Sequence, residues 1–160
     1  MPEHNIRVRI AQSADIDAIA KLINAAFVVE RIAFDGNRID ACGVRELMEK
    51  GAFLLAEDVA ALAGCVYVEA SGERSYLGLL SVSPARQGTG QGRQLVAAAE
   101  EHARNAGSDA MDLRIISPRA ESLLPFYQRL GYAQTGTAPF ASDIAPKVPC
   151  HYITMSKLLR

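Results

Sequence analysis

The sequence of 160 residues predicts a mixed α/β (α+β) fold: a central sheet of about seven strands, mostly antiparallel, with helices on both faces. Three observations carry this. Short apolar runs at strand spacing recur along the chain, and several follow one another closely enough to form hairpins. Other segments repeat their apolar residues at helical spacing. One long helical segment links two strand candidates, which makes that pair parallel. No repeat, low-complexity stretch or composition shift marks a linker, so residues 1–160 are expected to form one domain.

The elements follow in order. Ile6–Ala11 reads as a strand in which Ile6, Val8 and Ile10 alternate. Ser13 is placed as an N-cap for a helix carrying Ile16, Ile19, Ala20, Ile23 and Phe27. Asp35-Gly36-Asn37 is a turn signal, and a second helix is expected over Asp40–Glu49. Phe53–Glu57, Leu62–Ala70 and Ser75–Val82 read as three antiparallel strands, the last stopped by Pro84, which has no donor for a ladder. A long helix spans Gly90–Ala106 with Leu95, Ala98, Ala99, His102 and Ala106 on its apolar stripe, and Gly107 caps it. Strand Ala110–Ile116, helix Ser122–Leu130 and strand Tyr132–Thr137 come next. A Pro-containing loop, Ala138–Pro149, leads to a last strand, His151–Ser156.

Composition narrows the function. A formal net charge of −1 gives no field of one sign to draw nucleic acid or anionic lipid. No apolar run approaches the roughly 20 residues of a bilayer span, and residues 1–5 lack a signal-peptide pattern, so neither partner is expected and the expected location is cytoplasmic. Cys42, Cys65 and Cys150 have no Cys-x-x-Cys spacing, so no metal site is expected; Cys65 reads as a buried small hydrophobe. Cys150 and His151 are neighbours on a strand and point to opposite faces, which argues against a nucleophilic dyad.

The most informative stretch is Val82–Leu95. Gly88, Gly90 and Gly92 leave an apolar strand and enter a helix, so the backbone can turn tightly and approach a ligand. The helix start offers unpaired N–H groups and the positive end of its dipole, an anion site flanked by Arg86 and Arg93. A pyrophosphate-bearing ligand fits. The Walker A pattern fails because Gly92 precedes Arg93, and the dinucleotide fingerprint fails because positions 93 and 95 hold Arg and Leu.

The run Gln87-Gly88-Thr89-Gly90-Gln91-Gly92 instead fits Gln/Arg-x-x-Gly-x-Gly, which resembles the acetyl-CoA signature of the GNAT superfamily of N-acetyltransferases. Val82-x-Pro84 before it and Leu95 after it agree. A second block, Pro125–Tyr132 (Pro-Phe-Tyr-Gln-Arg-Leu-Gly-Tyr), resembles the family's helix–turn–strand element. The resemblance implies a sheet splayed between strands four and five. It implies acetyl-CoA as cosubstrate, held by the backbone of Leu80 and Val82 along its pantetheine arm and by Gln87, Gly88, Thr89, Gly90, Gln91, Gly92 and Arg93 at its pyrophosphate.

The reaction it implies is direct attack by a primary amine on the thioester in a ternary complex, with Tyr127 as general acid toward the departing thiolate. Relatives often carry a carboxylate base on or near strand four, and Ser75–Val82 has none; Glu69 is the candidate taken here, with Glu30 and His151 behind it. Many relatives also place an asparagine seven residues before the tyrosine, where this chain has Ala120; Ser117 or Arg119 is left as the substitute. The acceptor is expected to contact Phe27–Arg45 and Ala138–Pro149, and its identity stays open. A non-catalytic acyl-CoA-binding or regulatory module is the alternative from another class. A homodimer is expected to form, where it forms, by edge pairing of Tyr152–Met155.

Overall fold

The computed structural model describes residues 7–58, 61–141 and 145–159. Ile6, predicted to open the first strand, lies outside them, as do residues 59–60 and 142–144 of two predicted turns or loops. The strands are β1 (Arg7–Ile10), β2 (Ala52–Glu57), β3 (Leu62–Ser71), β4 (Arg74–Val82), β5 (Ala110–Ile116), β6 (Ala133–Pro139) and β7 (His151–Leu158). The helices are α1 (Ile16–Ala26), α2 (Ala41–Lys50), α3 (Gln91–Asn105) and α4 (Ala120–Arg129). All seven strands join one sheet in the order β1-β2-β3-β4-β5-β7-β6. Only β4 and β5 run parallel, as the α3 crossover requires.

Alternation along the strands sends side chains to two cores. On one face α3 and α4 cover Leu54, Val66, Val68, Leu77, Met111, Leu113, Ile153 and Met155. On the other face α1 and α2 cover Phe53, Leu55, Cys65 and Tyr67, with Tyr76 and Leu79 of β4 at the margin. This second core takes nothing from β5, β6 or β7.

Several local expectations shift. Ser13 is not the cap of α1: it opens a single 3-10 turn, Ser13–Asp15, where Asp15 accepts from the Gln12 N–H in a capping box. The alternating Val8 and Ile10 of β1 stay 38% and 56% exposed, because neither α3 nor α4 reaches that edge of the sheet. The buried stripe of α3 is Leu95, Val96, Ala99, Glu100 and Ala103, rotated from the predicted one, and Ala106 falls on the exposed C-cap. Glu100 is tolerated there because Tyr132 Oη donates to it at 3.0 Å and Lys157 Nζ at 3.0 and 3.1 Å. The last strand is not an edge. β7 lies between β5 and β6, hydrogen-bonded on both sides, so the edge-pairing route to a homodimer through Tyr152–Met155 is lost. The exposed edges belong to β1 and β6.

Candidate active site

β4 changes partners along its length. Its pairing with β5 covers only Arg74↔Ala110, Ser75↔Met111 and Tyr76↔Asp112. Both strands then continue, β4 to Val82 and β5 to Ile116, without pairing to each other. The segment Leu77–Val82 therefore has β3 on one side and an open edge on the other. Gln87 Nε2 donates to the Val82 carbonyl at 3.3 Å and Ser81 Oγ to the Leu79 carbonyl at 3.0 Å, but no strand ladder runs along this edge, which is costly on an interior strand unless something supplies partners.

The parting coincides with a bulge. Cys65 pairs with Ser81 and Tyr67 with Gly78, so Leu79 and Leu80 together face the single residue Val66. Leu79 takes φ 53°, the one non-glycine residue at positive φ among the described residues. The result re-aims β4: Leu79 packs toward the α1/α2 core, while Leu80 and Val82 lie against the α3/α4 core. Below it Cys65 is fully buried, and burial pushes its thiol up to about 12, as befits a packing residue. Cys150 is half-buried just before β7, and His151 is exposed at its start.

At the end of β4 the chain makes a 3-10 turn, Pro84–Arg86, and enters the glycine loop. Gly88 and Gly90 both sit at φ 83°, where a side chain is strained even though a Cβ there would meet open space. Thr89 Oγ1 donates to the Arg86 carbonyl at 2.6 Å and ties the loop together. Gly90 is the left-handed N-cap of α3, so the amides of its first turn, Gln91–Arg93, point outward without helical acceptors. Gln87, Thr89 and Arg93 are exposed around this concavity. Gln91 is not: its side chain is 4% exposed and its Oε1 has no partner, so only its backbone is offered to a ligand. Arg86 departs from its predicted flanking role. Its Nε donates to Asp58 Oδ2 at 2.5 Å, which anchors the loop to the end of β2.

Two tyrosines belong to the opposite cores on either side of β4. Tyr127, on α4, is 6% exposed among Phe126 and Tyr132 in edge-on contacts. Burial raises its hydroxyl pKa well above the usual tyrosine value, the neighbouring Tyr76 pushes the same way, and the Arg119 charge opposes. Tyr76 approaches from the α1/α2 side. Its ring lies along β4 over Gly78, where an added Cβ would stand 2.9 Å from ring carbon Cε1 and 3.4 Å from the hydroxyl. Burial raises its pKa too, against the charges of Arg114 and Arg38. Both hydroxyls thus keep their protons at neutral pH and act as donors.

Tyr76 gives no signal in the sequence, where the base expected on β4 is a carboxylate and an aromatic on a strand reads as packing. Glu69 stands opposite Tyr76 in the β3–β4 register and accepts from Tyr67 Oη at 2.8 Å. It sits below the point where the strands part, beside a surface depression of about 460 Å³ that also holds Arg74 and Asp112. The side chain of Glu30 is outside the described set. Ser117 Oγ accepts from the His151 N–H at 3.0 Å, so that hydroxyl is engaged by β7. Ala120, where relatives place asparagine, packs against the α3/α4 core. Among the described residues no group of three His, Cys, Asp or Glu is arranged to hold a metal ion, and no helix is long and apolar enough to cross a membrane.

Comparison with known proteins agrees with this layout. A family model described as an acetyltransferase (GNAT) domain matches residues 24–152. Among solved structures, the chain resembles yncA of Salmonella typhimurium, determined with acetyl-CoA, at 21% identity and a TM-score of 0.76 over 97% of this chain and 94% of that one. It resembles Ard1 of Thermoplasma volcanium at 15% identity and TM-score 0.78, covering 96% and 97%. The ribosomal-protein-S18-alanine N-acetyltransferase of Escherichia coli follows at 14% and 0.75, covering 96% and 94%. No curated protein sequence matches the chain significantly.

Proposed function

The chain belongs to the GNAT acetyltransferase family, and from that premise we propose that it moves the acetyl group of acetyl-CoA to a primary amine by direct attack in a ternary complex. The observation that carries this reading is the parting of β4 from β5 immediately above the glycine loop. An open strand edge needs an extended ligand that supplies amide donors and acceptors, and a left-handed glycine turn at a helix N-terminus needs an anion. Pantetheine joined to a pyrophosphate meets both needs at once. Leu80 and Val82 would hold the pantetheine by backbone pairing. The amides of Gln87, Gly88, Thr89, Gly90, Gln91, Gly92 and Arg93 would hold the pyrophosphate, with Arg93 adding charge.

In the reaction a neutral amine bonds to the thioester carbonyl carbon, the C–S bond breaks, and the amine's lost proton is balanced by one delivered to the CoA sulfur. Tyr127 is the residue we assign to the delivery: it stays protonated at neutral pH, and the Arg119 charge partly offsets the burial that would make it a weaker acid. Amides of the open edge near Val82 are suited to steady the oxyanion. Glu69 is the base under this reading. Its position below the gap fits a proton carried through water better than direct contact.

Titration of the purified protein with acetyl-CoA, beside ATP and NAD, tests the reading. Selective binding of acetyl-CoA supports it. Absence of binding by folded protein would sink it and leave the glycine loop as a structural turn. Binding without acetyl transfer to any amine would favour the non-catalytic acyl-CoA module.

A further inference from the structure

On the α1/α2 side of the gap, side chains from five segments converge. The Arg114 guanidinium of β5 lies 4.1 Å from the ring centroid of Tyr152 on β7 and 5.9 Å from that of Tyr76 on β4. Tyr152 contacts Phe140 at 5.2 Å between centroids, and Phe140 stacks on Phe34 at 5.2 Å. The Lys147 N–H donates to the Ala33 carbonyl at 2.6 Å and Lys147 Nζ to Asp35 at 2.9 Å, so the segment after α1 is tied to the loop before β7. An aromatic wall therefore leads from that roof down to Arg114. Beside it opens a groove of about 280 Å³ whose lining includes Tyr76, Asp112, Arg114, Thr135 and Thr154.

The carboxylates here are already engaged, Asp35 by Lys147 and Asp112 by Arg74 and Ser156, and the Arg38 and Arg114 guanidinium groups are not. Arg38, which lies 5.8 Å above the Phe27 ring, also acts on the Tyr76 hydroxyl. Among the described residues, no carboxylate lies within ion-pair distance of Arg38 or Arg114. The nearby Asp112 is committed to Arg74 and to Ser156, and Glu69 to Tyr67. A simple alkylammonium would be repelled by two guanidinium groups. An amine that also bears a carboxylate has no net charge and gives Arg114 the planar, bidentate partner it lacks. The same cations disfavour the ammonium form and so help to free the amine lone pair, which eases the demand on a base where β4 has no carboxylate.

We infer that the acceptor is an amine that also carries a carboxylate, an amino acid being the simplest case, with that carboxylate seated on the Arg114 guanidinium and its body against Tyr152 and Phe140. The inference rests on the reading that the acetyl group is presented in the β4–β5 gap. The test measures thiol release from acetyl-CoA with each of the standard L-amino acids and with its C-terminal amide, while acetyl-CoA affinity is titrated on the same preparations. At least one acid should exceed its amide in kcat/KM by about 10-fold to 100-fold, the range of one charge-assisted contact. Arg114→Gln should abolish that ratio through KM, and Arg114→Lys should restore part of it, both with acetyl-CoA affinity unchanged. Amides acetylated as well as acids, no acid acetylated at all, or an Arg114→Gln loss equal for acid and amide would each overturn the inference while leaving acetyl-CoA binding intact. Loss of acetyl-CoA binding in the unaltered protein would instead defeat the underlying reading.

Discussion

The two halves of the sheet are built to different rules. From β1 to β4 the α1/α2 face is roofed by helices, and its side chains, Phe53, Leu55, Cys65 and Tyr67, are apolar or aromatic and buried. From β5 to β6 no helix of the described residues joins that core, and the same face carries Asp112, Arg114, Thr135, Tyr152, Thr154 and Ser156, all half-buried or exposed. The opposite face is continuous across both halves under α3 and α4. One face thus holds the sheet together, while the other is divided into a supporting half and a half free to meet a ligand. The seam between them is the β4–β5 gap, and there the two tyrosines and the glycine loop gather.

The largest test of that division is to make one truncation in each half. Phe53→Ala removes a fully buried ring from the roofed half and should cost about 3–5 kcal/mol in urea unfolding. Thr154→Ala on the open half gives up a 2.9 Å hydroxyl contact with Thr135 on an exposed surface and should stay within about 0.5 kcal/mol. Similar costs at the two sites would mean that the open face is part of the stabilising core after all.

At the seam the expected loss is in rate. Tyr127→Phe keeps the ring and its contacts with Phe126 and Tyr132, so unfolding and acetyl-CoA affinity should hold while kcat falls about 100-fold, the low end for a positioned acid. An unchanged kcat would reduce Tyr127 to a packed aromatic. A smaller effect of opposite sign to the ordinary one is expected at the bulge. At φ 53° any Cβ is strained, so Leu79→Gly should be more stable than Leu79→Ala by about 1 kcal/mol, reversing the usual order in strands. If Ala proves the more stable, the bulge is relaxed and does not hold the edge open by strain at Leu79.

The division into halves was only partly legible in the sequence. Strand and helix periods placed each element close to its observed bounds, because apolar spacing is a local property. The glycine loop was legible because left-handed turns at a helix start need glycine, and Gly88 and Gly90 are both in that conformation. The bulge was not, since Leu79 occupies a position where glycine would have announced it. Nor was the cationic wall: Tyr76, Arg114 and Tyr152 lie far apart in the chain, and only the sheet order β4-β5-β7 makes them neighbours. The expectation that Tyr152–Met155 forms a free sheet edge failed for the same reason, as strand order is not written in strand period.

The smallest expected effect concerns how the roofed half holds its outer edge. β1 is short and its apolar side chains are left exposed, so hydrophobic burial does little to keep it in place. Arg9 instead clasps it to the molecule, donating to both Asp15 carboxylate oxygens at 2.8 Å and to Glu57 on β2. The Arg9 contact, aided by the Gln12 N–H, holds the Asp15 carboxyl down at about 2, against an ordinary 3.8. A depressed carboxyl stabilises the folded state above its unfolded pKa and loses that contribution as acid protonates it. The difference in unfolding free energy between the unaltered protein and Asp15→Asn should therefore be constant down to about pH 4 and shrink between about pH 4 and pH 2. Arg9 is 32% exposed, so solvent screening should hold the plateau to about 1 kcal/mol or less. A plateau of zero would mean that the β1–β2 ladder alone secures this edge.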